Sequence, residues 1–239
     1  MNTISFEKGS VRMVAHRGLS GLETENTNAA FVAAGNRSYY GIETDIHRTA
    51  DGRFVIVHDS SLARVGGEPI PVEEVTLATL QGILLFDRDG TKDRADLRVG
   101  TLENYVDLCK KYEKHCVLEL KSLFTEEEID RILEILRARD YLDNTTFISF
   151  KFDNLVKIRE RLPEHSVQYL FFEVTEEVME QVRTYRFDVD VKYTSLTPEV
   201  IRDFHALGCK VNCWTVNTRE DGERLAAMGV DFITTNILE

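Results

Sequence analysis

Two histidines and three acids stand where apolar runs end or are interrupted. His16 follows Val11-Arg12-Met13-Val14-Ala15 and His58 follows Phe54-Val55-Ile56-Val57, while Glu43 and Asp45 break an apolar run and Glu119 lies between leucines in Val117-Leu118-Glu119-Leu120-Lys121. Side chains two apart on a strand share a face, so Glu43 and Asp45 converge, and unpaired charges in an apolar setting are costly. A cation would offset that cost. Three oxygen ligands with room for water suit Mg²⁺ or Ca²⁺ better than a thiolate-seeking metal. A salt-bridge network with Arg17 or Lys121 is the competing answer. The imidazoles titrate near neutrality, so one can take a proton while its protonated partner gives one; singly, each could equally be a hydrogen-bonded structural histidine. Arg17 offers a fork of donors that matches phosphate oxygens, or a solvated surface charge. Asn26, in Glu25-Asn26-Thr27, either reaches a metal or substrate or caps a helix. His47 is expected to be structural, and His115, His165 and His205 carry no catalytic signal.

These side chains need a frame. β-type runs fall at 11–15, 40–46, 54–58, 116–120, 145–150, 167–172, 188–191, 210–216 and 231–235, with helical spacing at 26–34, 102–112, 126–139, 152–161, 175–185, 198–207 and 219–228. Thr125 before three glutamates and Thr197 before Pro198 and Glu199 can cap helices, and Gly208 and Gly229 suit the stops. Repeated strand-helix alternation, about eight units in this length, predicts a TIM (β/α)8 barrel in a single domain, 1–239. An open doubly wound sheet would carry a glycine-rich phosphate loop after the first strand, and His16-Arg17-Gly18-Leu19-Ser20-Gly21 is not one. Residues 60–100 are too long for an ordinary connection and read as an insertion over the C-terminal face, either a structural cap or a cover for substrate.

Composition narrows the partners. A net charge of −12, with only 29 Lys and Arg, repels phosphate backbones and anionic lipid surfaces, so nucleic acid is excluded as a partner while a small anion is not. No apolar run reaches membrane-spanning length and the N-terminus lacks a secretory pattern, so a cytoplasmic protein without an integral membrane segment is expected. Cys109, Cys116, Cys209 and Cys213 are too sparse for a disulfide scaffold and are expected to be buried thiols.

Together, His16-Arg17-Gly18, Glu25-Asn26-Thr27, Glu43-x-Asp45-Ile46, Thr49-x-Asp51-Gly52, Val57-His58-Asp59, Glu119-x-Lys121, Trp214-Thr215-Val216-Asn217 and Gly229-Val230-Asp231 resemble the glycerophosphodiester phosphodiesterase family over residues 11–235. The resemblance implies a TIM barrel with a small insertion after the second strand. It implies one divalent cation on Glu43, Asp45 and Glu119, His16 as general base, His58 as general acid, and Arg17 and Lys121 on the phosphate. Trp214 would flank the glycerol, or else pack in the core. The implied substrate is a small glycerophosphodiester, such as glycerophosphocholine or glycerophosphoethanolamine, cleaved to sn-glycerol 3-phosphate and an alcohol. Phospholipase D-like cleavage of lysophospholipids on the same fold is the alternative, marked by an exposed apolar patch at the mouth, with 83–86 as the candidate. A non-catalytic phosphodiester-binding protein is a third reading, disfavoured because both histidines are present. Two departures stand out. Thr24 replaces the family's usual proline, and Thr234-Thr235-Asn236 replaces a threonine-aspartate ending, which is expected to alter contacts of the last loop but not the metal or acid-base residues.

Overall fold

The computed structural model describes residues 2–239. The chain begins with β1 (Arg12–Ala15), α1 (Asn28–Gly35), β2 (Gly41–Arg48) and β3 (Phe54–Ile56). The short helices α2 (Ala63–Gly66) and α3 (Leu77–Gln81) and the two-residue β4 (Gly100–Thr101) come next. Alternation then becomes regular: α4 (Leu102–Lys111), β5 (His115–Leu120), α5 (Glu126–Ala138), β6 (Thr145–Ser149), α6 (Phe152–Arg161), β7 (Val167–Phe171) and α7 (Glu176–Tyr185). The chain ends with β8 (Asp188–Lys192), α8 (Pro198–Ala206), β9 (Val211–Trp214), α9 (Arg219–Met228) and β10 (Phe232–Thr235). Strands β1, β2, β5, β6, β7, β8, β9 and β10 are parallel, and β1 pairs with both β10 and β2, which closes an eight-stranded TIM barrel.

The local reasons match the sequence. Thr125 and Glu128 form a reciprocal capping box at α5, Thr197 caps α8 with Pro198 in its first turn, and Gly229 closes α9 in the left-handed region. α1 differs. Thr27, not Asn26, is its N-cap, its side chain accepting from the Ala30 amide, and Asn26 is turned into the barrel at φ +56.

The run at 54–58 is a strand but not a barrel strand. β3 returns antiparallel to the upper half of β2, with His47 opposite Val55. Thr49-Ala50-Asp51-Gly52 makes the reversal, with the Gly52 amide on the Thr49 carbonyl and Gly52 at φ +72. So short a link cannot cross over to a parallel neighbour. Hydrophobic runs do not encode direction, whereas the Asp-Gly turn does. His58 therefore does not stand at the C-terminal end of a barrel strand; it enters on the returning limb, where the Val57 amide bonds the Asp45 carbonyl at 3.1 Å.

Apolar packing falls into three regions. The largest lies between barrel and helices, a second fills the barrel interior with Val14, Val117, Ile148, Leu170 and Phe232, and a third gathers Val55, Val57, Leu62, Leu80, Leu85 and Leu97 beneath residues 60–100. In that third cluster Leu85 is buried and Ile83 packs against it, so 83–86 is not an exposed patch. All four cysteines are free and buried.

Tyr105 on α4 ties the barrel wall behind the acids. Its hydroxyl donates to the Ile42 carbonyl at 2.6 Å and accepts from the Val117 amide at 3.0 Å. Tyr105→Phe removes both of these bonds and leaves the Ile42 carbonyl, beside Glu43, and the Val117 amide, two residues before Glu119, with only each other across the seam. A loss of about 1–3 kcal/mol is expected in urea denaturation.

Candidate active site

Glu43 and Asp45 point into the barrel from β2, and β5 sets Glu119 in register with Asp45. One oxygen from each of the three buried acids lies within 4.8 Å of the others. Two cations face them. Lys121 Nζ is 2.8 Å from Glu119 Oε1 and 3.5 Å from Asp45 Oδ1, and Arg17 Nε is 3.4 Å from Asp45 Oδ2. The salt-bridge network is thus present but incomplete, because two cations cannot neutralise three ionised acids.

The acids divide accordingly. Burial raises Asp45, but Arg17 and Lys121 outweigh it and hold that carboxyl well below the usual range. Burial, reinforced by Asp45 and Glu119, drives Glu43 well above it. Burial and the Asp45 charge push Glu119 up to about 8 against the pull of Lys121. Among the described residues, Asp45 Oδ1 and Arg17 Nε have no hydrogen-bond partner. Crowded oxygens, raised pKa values and an orphaned carboxylate oxygen fit a hard divalent cation.

Arg17 and Asn26 are held in left-handed conformations, at φ +54 and +56. The Arg17 amide donates to Glu43 Oε2 at 2.7 Å, and the Asn26 amide to the Arg17 carbonyl at 2.9 Å. Asn26 Nδ2 donates to Asp45 Oδ2 at 2.8 Å while its Oδ1 accepts from Thr44, so this residue orients an acid rather than capping α1. Such strain survives only where surrounding contacts fix it. A Cβ on Gly18 would come within 2.7 Å of Ala30, which keeps that turn tight against α1.

His16 Nδ1 hydrogen-bonds Asn236 Oδ1 at 2.7 Å, which leaves Nε2 4.0 Å from Glu43. Burial, helped by Arg17, lowers its pKa to about 4. The departure at Asn236 therefore reaches the histidine directly, contrary to the expectation that it would touch only the last loop. His58 Nδ1 meets Asp59 Oδ1 at 2.6 Å, and burial lowers its pKa against the pull of Asp45. Arg64 of α2 joins the two sides. Its Nε donates to Asp59 at 2.7 Å, its two terminal nitrogens grip Glu25 at 2.8 Å each, and Glu25 accepts from Arg17 at 2.9 Å. His47 sits behind, near Glu73 and the His58 carbonyl.

One cleft is lined by His16, Arg17, Glu43, His58 and Glu119 on one side and by Ile148, Phe150, Leu170, Asp190, Trp214 and Thr234 on the other. Lys121 reaches the same acids from beside it. Trp214 packs edge-on against Phe150 and Phe172, and Phe172 is 55% exposed. A larger open depression of about 900 Å³ lies near Arg12, Lys210 and Phe232 at the opposite barrel end, without a converging acid–base set. Sequence reasoning missed Arg64 and Asp190. Nothing local marks Arg64, but Asp190 alternates with Val189 and Val191 in a β-run, the same signal that singled out the other acids.

The glycerophosphoryl diester phosphodiesterase family matches residues 16–239. The chain belongs to that family. YhdW of Bacillus subtilis (strain 168) is 30% identical over 94% of this chain and 93% of its own. A glycerophosphodiester phosphodiesterase of Caldanaerobacter subterraneus subsp. tengcongensis is 27% identical over 94% and 93%. A phosphodiesterase from Oleispira antarctica, solved in complex with the product sn-glycerol-3-phosphate, superposes with a TM-score of 0.86 at 25% identity, over 94% of this chain and 92% of that one. As a member of this family the chain is a phosphodiester-cleaving enzyme. Among the described residues no helix is long and apolar enough to cross a membrane.

Asn236→Asp places a negative charge beside His16 Nδ1–H and favours the imidazolium. The His16 titration, followed by NMR, is expected to move up by about 1–3 units. Glu119 keeps a proton up to about 8 in the folded chain against an ordinary 4.5. Between those values the native state binds more protons than the unfolded chain, so its contribution to stability falls as pH rises. A divalent cation requires the ionised set. The Tm gain on adding Mg²⁺ or Ca²⁺ should therefore be larger near about pH 9 than near about pH 6. Arg64→Ala should cut kcat roughly 10- to 100-fold in steady-state assays while the Tm gain from metal is kept.

Proposed function

We propose that this chain hydrolyses small glycerophosphodiesters to sn-glycerol 3-phosphate and an alcohol, with His16 as general base and His58 as general acid. The observation that carries the reading is that both imidazoles line one cleft with Glu43 and Glu119, each anchored through Nδ1 so that Nε2 is left for substrate. A divalent cation held by Glu43, Asp45 and Glu119 would polarise the phosphoryl group and help to activate the attacking oxygen. Arg17, whose Nε makes no hydrogen bond, and Lys121 bind the non-bridging oxygens and offset the charge that builds on them. His16 Nε2 takes the proton of the nucleophile, either water or the glycerol hydroxyl. Its low pKa keeps it unprotonated at ordinary pH. His58, supported through Nδ1 by Asp59, delivers a proton to the departing alkoxide. Residues 1–239 act as one domain, in which the 60–100 segment supplies Arg64 to the site.

The test measures sn-glycerol 3-phosphate released from glycerophosphocholine and glycerophosphoethanolamine with Mg²⁺, with Ca²⁺ and with EDTA. Metal-dependent release is expected. His16→Ala and His58→Ala should each lose about 10²–10⁴ in kcat with circular dichroism unchanged. A p-nitrophenyl leaving group, which needs no proton, should rescue His58→Ala alone. Full activity in either variant on the choline diester overturns the acid–base assignment. Lysophosphatidylcholine runs in parallel, because exposed Phe172 at the cleft is where an acyl chain would rest; cleavage of that lipid alone would move the assignment to the phospholipase D-like reading.

A further inference from the structure

Asp190 is the one acid in the cleft that the proposed mechanism does not use. It lies on β8 between Leu170 of β7 and Asn212 of β9 in register, and the residue is 1% exposed. Among the described residues its Oδ1 has no hydrogen-bond partner. Its polar neighbours are already committed to one another. Asn212 Nδ2 donates to Gln168 at 3.1 Å, and Asn212 Oδ1 accepts from the Cys213 amide at 2.8 Å and from Thr234 at 3.2 Å. Trp214 Nε1 donates to the Asp190 backbone carbonyl at 3.2 Å and so leaves the carboxyl free. Nor is it part of the metal cluster, whose converging oxygens come from Glu43, Asp45 and Glu119.

An unpaired buried carboxyl oxygen is costly, and it faces a cleft, so a ligand seated there can supply its partner. We propose that Asp190 reads a hydroxyl of the substrate's glycerol arm, which lies between this carboxyl and the Trp214 indole while the phosphate occupies the Arg17 and Lys121 side. The idea rests on the glycerophosphodiesterase reading. Ile148 and Leu170 wall the same place and suit the C–H surface of a small polyol. Burial, with Glu119 adding to it, raises the Asp190 pKa well above the usual carboxylate range. A carboxyl at this place hydrogen-bonds a hydroxyl, and the head group is left to the open side of the cleft near Phe172, which packs on Trp214.

The test compares sn-glycerol 3-phosphate, n-propyl phosphate and inorganic phosphate by calorimetry with Mg²⁺ present, on wild type, Asp190→Leu and Asp190→Asn. Wild type should bind sn-glycerol 3-phosphate about 10-fold or more tighter than n-propyl phosphate, the worth of a buried hydrogen bond. Asp190→Leu should erase that preference and leave inorganic phosphate binding unchanged, while Asp190→Asn, which still hydrogen-bonds, keeps most of it. No preference in wild type overturns the proposal without recourse to any variant, and so does a preference that survives in Asp190→Leu. Equal weakening of all three phosphates overturns it too, in favour of an electrostatic role toward the phosphate site. The outcome is separable from the assigned reaction: wild type inert on glycerophosphocholine would refute that reaction, whereas the calorimetric preference reports on the hydroxyl contact alone.

Discussion

Three carboxyl groups forced together inside a barrel are the constraint from which the rest of the site follows. Glu43, Asp45 and Glu119 lose hydration and repel one another, and among the described residues Arg17 and Lys121 are the Arg or Lys cations within salt-bridge reach of them. The chain leaves one acid strongly ionised and two raised. In the proposed reaction a divalent cation would restore ionisation of the acids and free both basic side chains for the non-bridging oxygens of the phosphate.

Holding those groups requires a rigid frame. Parallel register between β2 and β5 fixes Asp45 beside Glu119, and Tyr105 fastens the same two strands from behind. The histidines reach the cleft by different routes. His16 ends the barrel strand β1, whereas His58 arrives on the antiparallel return of β3, which hangs from β2 itself. Both approaches are anchored through Nδ1, by a neutral amide on one side and by a carboxylate on the other.

The 60–100 segment is more than a cap. It packs over its own apolar cluster, which fixes α2, and Arg64 then links Asp59 beside His58 to Glu25 beside Arg17. This chain of charge-assisted bonds couples the two halves of the site through a part of the fold that lies outside the barrel.

The sequence by itself determined the alternation that makes a barrel, the strands that carry Glu43, Asp45 and Glu119 and lead into His16, and the helix caps at Thr125 and Thr197. Those features are local: periodicity, parity and capping chemistry act over a few residues. Partnership was decided only in three dimensions, and the direction of β3 came from the Asp51-Gly52 turn rather than from the apolar run itself. The run ending at His58 reads the same whether parallel or antiparallel, Asn26 reads as a cap, as a metal or substrate contact, or as both until its amide is seen on Asp45, and 83–86 reads as a candidate apolar patch until Leu85 is seen buried. Arg64, Asn236 and Asp190 gain their meaning from residues as much as 220 positions away in the chain. Such contacts depend on barrel closure and on side-chain packing against strands that are remote in sequence, which no local pattern records.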